Sequence, residues 1–336
     1  MRANLFSLGS AAMAPPALKL LRSGQLSIAE LRAMRPLPEN AQKLIDDAVI
    51  RVGLDRLAVV ADLLSEGLTF DLGQEFWGIT DLQWDMMNEV GSAKRTMEPL
   101  ARGEKQIVER TPGHVPVYLT WDDFELGIRT IGAGQRSGQP LDTTMVEQAT
   151  RRVNEALEDA AINGAGITVA GGTTPGLLTA PNANSFTYTG TGGQTAWDHA
   201  NKTGAQVVDD VIGMADTLRT HRRFGPYALY VNTSYGNSLN KNFDTSQAIT
   251  RRQRLEQMVF GGRNLRVVDA DQLPANRTSL VQLTSDVVDV VVGQQPTVVS
   301  WDHPSGWATN WVVLACLVPR VKTDSASRSG ICNGNV

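Results

Sequence analysis

The chain is poor in the side chains that most catalytic and metal chemistry uses. It holds 2 cysteines and 4 histidines among 336 residues. Cys316 lies inside an apolar run and Cys332 four residues from the end, neither with CxxC company, so no disulfide framework or thiolate metal site is expected. His114, His199, His221 and His303 stand far apart with no HExxH or HxH spacing, which removes the local zinc signatures. GxSxG and GxxxxGK[ST] are missing, and with them the usual hydrolase elbow and the phosphate loop. No apolar run of 18 residues occurs, so no segment is expected to span a membrane. Excess positive charge is missing too. A net charge of −4 and a pI near 5.6 argue against a dedicated nucleic-acid reader.

What remains has the composition of an ordinary globular protein, 42% hydrophobic and 20% charged, and it is long enough for one large unit or two coupled ones. The charge is unevenly spread. Between Arg2 and Pro38, Arg2, Lys19, Arg22, Arg32 and Arg35 face Glu30 alone, 5 − 1 = +4, as a polyanion-facing arm or a solvated one. The opening LFSLGSAAMA looks like a crude secretory signal, but Asn4, Ser7, Gly9 and Ser10 interrupt its apolar stretch. It reads as part of an arm in a protein made in the cytoplasm.

Features that resemble active sites have plainer readings. GAGITVAGG suggests a dinucleotide loop, yet its glycines follow a helix, whereas pyrophosphate binding needs them before one. Asp122-Asp123 and Asp209-Asp210 look like paired carboxylates. Neighbours on a helix diverge by about 100°, so helix-start or solvated-face roles are expected. The tryptophans at 77, 84, 121, 197, 301, 307 and 311 are expected as packing anchors. No catalytic, cofactor or metal site is predicted.

Periodicity gives the elements. Ser27 with Glu30 marks a short capped helix, and Leu44, Ala48, Val52, Leu57, Val60, Ala61 and Leu64 suggest amphipathic helices with a joint at Gly53. Met86 to Val117 reads as a long charged two-stranded ribbon with little to bury, which must borrow stability from a partner surface. A helix is expected to start at Asp122–Ile131. Thr143–Asn163 is the clearest helix, with Val146, Ala149, Val153, Ala156, Leu157 and Ala160 in one stripe and Gly164 as its stop. A second long helix is expected from Ala196 to His221, and strands at Tyr227–Asn232, Leu265–Val268 and Leu280–Leu283. Between Ser285 and Val321 two β-branched runs flank a Gly/Pro/Trp-bearing turn. Val287, Val288, Val290–Val292 and then Val312–Ala315, Leu317 and Val318 are too continuously apolar for a strand with one wet face. The fold class is α+β.

That closing hairpin, together with GTTPGLLTAPN after the long helix and PYALYVNTSYGNSL further on, resembles tailed-phage major capsid proteins of the Hong Kong 97-type fold and the encapsulins. The resemblance implies an N-arm with short helices (1–67), an E-loop ribbon (68–118), a P-domain with a spine helix (119–166), an A-domain (167–285), and C-terminal strands returning to the P-domain side and ending in a tail (286–336). It implies a shell protein, not an enzyme, that assembles with itself as pentamers or hexamers into an icosahedral capsid around double-stranded DNA. Localisation would be the virion, with synthesis in the host cytoplasm and portal, scaffold or protease, and decoration proteins as partners. An encapsulin-like compartment around a cargo enzyme is the alternative, and an unrecognised small-molecule α/β enzyme a more distant one. The long arm and the KTDSASRSGICNGNV tail favour the phage. Intersubunit contacts fall to the E-loop residues Lys94, Arg95, Glu98, Arg102, Glu104, Lys105, Glu109 and Arg110, and nonspecific DNA contacts to Arg2, Lys19 and Arg22. Some members of the family cross-link an E-loop lysine to a P-domain asparagine. Lys94 or Lys105 with Asn310 or Asn333 offers the groups, though no motif maps them.

Overall fold

A computed structural model describes residues 48–49, 57–87, 110–127, 129, 144–169, 171–190, 195–244, 247–303, 307–324 and 328–336. Its helices are α1 (Val59–Ser65), α2 (Thr144–Asn163), α3 (Gly204–Thr220) and α4 (Arg251–Glu256), with a helical turn at Gly236–Leu239. The strands run β1 (Thr69–Asp71), β2 (Asp81–Met87), β3 (Arg110–Pro116), β4 (Thr120–Gly127), β5 (Thr168–Val169), β6 (Gly172–Thr173), β7 (Asn184–Thr187), β8 (Tyr227–Asn232), β9 (Asn242–Asp244) and β10 (Gln247–Thr250). They continue with β11 (Val259–Phe260), β12 (Arg263–Asn264), β13 (Arg266–Ala270), β14 (Thr278–Gln282), β15 (Val288–Asp302), β16 (Ala308–Val321) and β17 (Ile331–Asn335).

The hairpin of β15 and β16 is the scaffold of the first layer. β1 pairs with β15 in parallel and β4 with β16 antiparallel, giving the order β1-β15-β16-β4. Helix α2 lies across this sheet. Its stripe of Val146, Ala149, Val153, Leu157 and Ala161 is buried against Val288, Val290, Trp311, Val313, Ala315 and Leu317. Small residues in that stripe let the helix backbone come close to the sheet. The helix stops at Gly164, whose φ of +87° suits only glycine and whose added Cβ would meet Thr174 O at 2.6 Å. The Gly/Pro passage then turns back and satisfies the helix end: Leu177 N donates to Ala161 O and Leu178 N to Ile162 O, both at 2.9 Å, and Thr179 Oγ1 donates to Asn163 O at 3.0 Å.

The second layer is a five-stranded sheet in the order β13-β8-β14-β17-β7. Strand β8 is buried along its whole length because alternate residues enter two cores. Ala228 and Tyr230 join the core under α2, whereas Leu229 and Val231 join Val207, Val211, Met214, Ala215 and Leu218 of α3. Val281 with Leu280, and Ile331 with Cys332, divide in the same way. The two layers therefore share one sheet's two faces.

Four expectations are corrected here. Asp122–Ile131 does not begin as a helix, because Thr120–Gly127 is strand β4. Its alternation places Phe124 and Leu126 towards α2 and Trp121, Asp123 and Glu125 outwards, and β16 offers it a long open edge. The C-terminal stretch is no free tail: Ile331–Asn335 pairs β14 on one side and β7 on the other, and Cys332 is fully buried. Burial pushes the Cys332 thiol up to about 12 and the Cys316 thiol to about 11. The second long helix is shorter than expected, starting at Gly204, because Thr203 and Gln206 form a reciprocal cap. Asp210 is not on a solvated face. Its carboxylate is buried and accepts from Thr189 N (2.8 Å), Thr189 Oγ1 (2.5 Å) and Trp197 Nε1 (2.9 Å), with Lys202 Nζ at 2.8 Å.

Those four donors, from Thr189, Trp197 and Lys202, converge on one carboxylate. Asp210→Ala would leave the Lys202 charge buried without its partner, a change that costs about 3–5 kcal/mol. Equilibrium denaturation of the variant beside the parent should show that loss; a difference below about 1 kcal/mol would contradict it.

Candidate assembly surface

The ribbon begins where the hairpin base is covered from outside. β2 and β3 pair from Asp81 with Pro116 through Met87 with Arg110. Val115, with Leu82, Trp84 and Val117 beside it, packs onto Val291 and Val318, which are register partners on the hairpin. Hence Val288–Val291 and Ala315–Val318 are buried on both faces, as the continuous apolar runs require. The ribbon base thus leans on its own subunit.

A charged knot pins this base. Arg320 Nε donates to Asp289 Oδ1 at 2.7 Å and Arg320 Nη2 to Asp289 Oδ2, a bidentate pair joined by Lys322 Nζ at 2.7 Å. The Arg320 guanidinium lies between the Phe70 ring (4.7 Å) and the Trp84 ring (5.3 Å). Trp84 in turn fills the space over Gly113, where an added Cβ would sit 2.5 Å from the indole. These groups line a cleft of about 770 Å³, in which Arg223 also pairs Asp286 and Arg328 pairs Asp324.

Of the residues assigned to intersubunit contacts, Lys94, Arg95, Glu98, Arg102, Glu104, Lys105 and Glu109 lie outside the described residues, as do the arm cations Arg2, Lys19 and Arg22. Arg110 is described. It is exposed and meets Asp85 across the ribbon at 3.3 Å, a pair within the subunit. The register places one of the two cross-link acceptors on the outward side of the sheet. Asn310 sits on β16 opposite Glu125, and Asn333 is engaged within the five-stranded sheet, accepting from Ser279 Oγ at 2.8 Å and donating to Leu177 O at 3.2 Å.

Sequence reasoning missed the outer face of the distal hairpin. There Trp311 is buried and stacked on Phe124 beneath α2, while the alternate residues Val312 and Leu314 are only half-buried. Trp121, the register partner of Leu314, is 60% exposed, and Asp123 and Glu125 flank it on the same side of β4. Trp307 at the hairpin turn is 74% exposed and Leu119 is exposed as well. Of the expected packing anchors, Trp197 and Trp311 are buried, whereas Trp77, Trp121 and Trp307 are not. An exposed Trp121 beside the half-buried Val312 and Leu314 makes this sheet face a candidate interaction surface. Strand periodicity at 121, 123 and 125 was the available signal, hidden by reading the segment as a helix. Asp122, on the opposite face from Asp123, pairs Arg152 at 3.2 Å, so the adjacent acids do not converge. Among the described residues no group of three His, Cys, Asp or Glu side chains is set to hold a metal ion, and no helix is long and apolar enough to cross a membrane.

A family model described as Linocin_M18, encapsulating protein for peroxidase, matches residues 88–303, well over half of the chain. The chain belongs to the Linocin_M18 family. This Linocin_M18 protein is similar in fold to the virus-like particle from Pyrococcus furiosus, at 16% identity and a TM-score of 0.59, covering 89% of this chain and 100% of that one. The capsid of Myoviridae Phage XM1 gives 11% identity, a TM-score of 0.60, and coverage of 84% and 94%. Mycobacterium phage Bobi gives 12%, 0.56, 84% and 92%. No curated protein matches. At such identities the likeness carries the fold, which is the Hong Kong 97-type α+β fold expected from the sequence. As a member of a family of encapsulating proteins, the chain is a shell-forming subunit that associates with itself.

Proposed function

We propose that this shell is the icosahedral capsid of a tailed phage, built from pentamers and hexamers of the chain around double-stranded DNA, and that the protein is structural and not catalytic. The observation that carries the assembly reading is the outer sheet face. Trp121, Val312 and Leu314 form a rigid apolar strip edged by Asp123 and Glu125, and the cationic ribbon residues Lys94, Arg95, Arg102 and Lys105 are its complement on a neighbouring subunit. The arm supports DNA as the content, since Arg2, Lys19 and Arg22 belong to a stretch of +4 in a chain of −4. Portal, scaffold or protease, and decoration partners, synthesis in a host cytoplasm and residence in the virion follow from the same reading. Ile331–Asn335 is a sheet strand and not a tail, so it does not favour a phage over a compartment. A cargo-enclosing compartment is the second reading, favoured by the family's description as encapsulating a peroxidase.

The contents decide between them. Particles isolated from the cells that make the protein and treated with nuclease should retain double-stranded DNA of mixed sequence; a stoichiometric enzyme with no protected DNA would overturn the phage reading. The interface has its own test. Arg102→Glu with Lys105→Glu should raise the concentration needed for assembly about tenfold at low salt and less at high salt, since exposed pairs contribute about 0–1 kcal/mol each and are screened. Asp123→Lys with Glu125→Lys in the same chain should restore assembly, and failure to do so would remove the ribbon from this face.

A further inference from the structure

The glycine-rich passage that looks like a dinucleotide loop in the sequence has a structural partner. Thr168–Val169 and Gly172–Thr173 form the small β5–β6 hairpin, tied to the end of α2 through Thr174, whose N donates to Ile167 O at 3.3 Å and whose carbonyl oxygen lies against Gly164. This hairpin meets the root of the ribbon. A Cβ added to Gly172 would stand 2.7 Å from His114 Cβ and 3.1 Å from His114 O, so β6 and β3 approach at a spacing that a side chain would not allow.

Strand alternation makes the seat two-sided. Val115 with Leu82, and Gly113 with Trp84, turn one face of the root to the β15–β16 base, while His114, its Nδ1 3.1 Å from Asp81 Oδ2, turns the other to β6. Gly113 makes the second close approach, since its added Cβ would strike the Trp84 indole that lies against Arg320. The root is therefore gripped between the hairpin base and the end of α2. Neither Gly113 nor Gly172 has a positive φ. Their small size, and not their backbone freedom, is what the seat uses.

We propose that this seat sets the angle at which the ribbon leaves the subunit and thereby the curvature of the shell, with Gly113 and Gly172 as positioning residues. This assignment rests on the ribbon reaching a neighbouring subunit, as proposed above. A ribbon that carries the contact to the next copy acts as a lever, so a small rotation at its root recurs at every copy and changes the size at which the shell closes. An extra methyl in a filled site displaces its surroundings. At Gly172 it would press the root towards the β15–β16 base. At Gly113 it would thicken the Trp84 side and lift the root the other way, towards β6.

Cryo-electron microscopy of particles from the full-length parent and single variants tests this. The parent should close at one diameter. In Gly172→Ala and in Gly113→Ala the share of particles at that diameter should fall at least about twofold, with the new sizes on opposite sides of it. Gly236→Ala, where an added Cβ meets nothing within 4 Å, should leave the diameter unchanged. Amides of Tyr227–Asn232 and Val288–Val291 should keep the parent's protection from hydrogen exchange throughout. If the seat alanines lose that protection, Arg320→Lys decides: it adds no bulk, gives up the bidentate pair and the ring contacts, and should spread the diameters. A parent without particles would sink the shell reading itself. With uniform parent particles, only the seat's role is overturned, by folded alanine variants that keep the parent diameter, shift to the same side or form no particles. An Arg320→Lys protein that keeps one diameter or loses core protection overturns it too, as does a Gly236→Ala that shifts like the seat variants.

Discussion

The rest of the molecule depends on burying both faces of the inner half of the β15–β16 hairpin. Val288 and Val290 point one way and Val291 and Val318 the other, so a stable subunit needs a cover on each side. Helix α2 is one cover and the ribbon base is the other. The edges need partners as well, because a central strand leaves unpaired N–H and C=O groups. β1 and β4 supply them. Once that sandwich exists, the direction in which the ribbon leaves the body is fixed by Trp84, Arg320 and Asp289, and the distal hairpin is left with one open face.

On the proposed reading, that open face is where subunits meet. Two buried ion pairs, Asp210 with Lys202 and Asp289 with Arg320, lie inside the subunit and serve its rigidity. Its exposed Trp121 lies on a flat sheet face beside the half-buried Val312 and Leu314. A protein whose task is to close a shell has reason to place its binding residues on flat, stiff elements, since a small error in angle is repeated at every copy of the contact.

How much was legible in the sequence followed the strength of the local pattern. The hairpin, α2 and β8 were plain, because long apolar runs or a sustained 3.6-residue stripe have few alternative uses. β4 was misread since TWDDFELG satisfies both periods over so short a span, and only the free edge of β16 decides for a strand. β17 was invisible: ICNGN offers two apolar side chains, and its place between β14 and β7 is a tertiary fact. The burial of Asp210 and the reach of Glu158 to Val59 are likewise non-local, the second joining residues 99 positions apart. The outer-face aromatics could have been found by reading residues 119–125 as a strand; the charged ribbon residues could be named from sequence but not placed.

Electron microscopy of the purified full-length protein tests the central claim most directly. The account predicts closed particles of uniform diameter with icosahedral symmetry, in which each copy of the Trp121 face is covered by another subunit. Monomers or small oligomers persisting at tens of micromolar across salt and pH, with that face open to solvent, would contradict it.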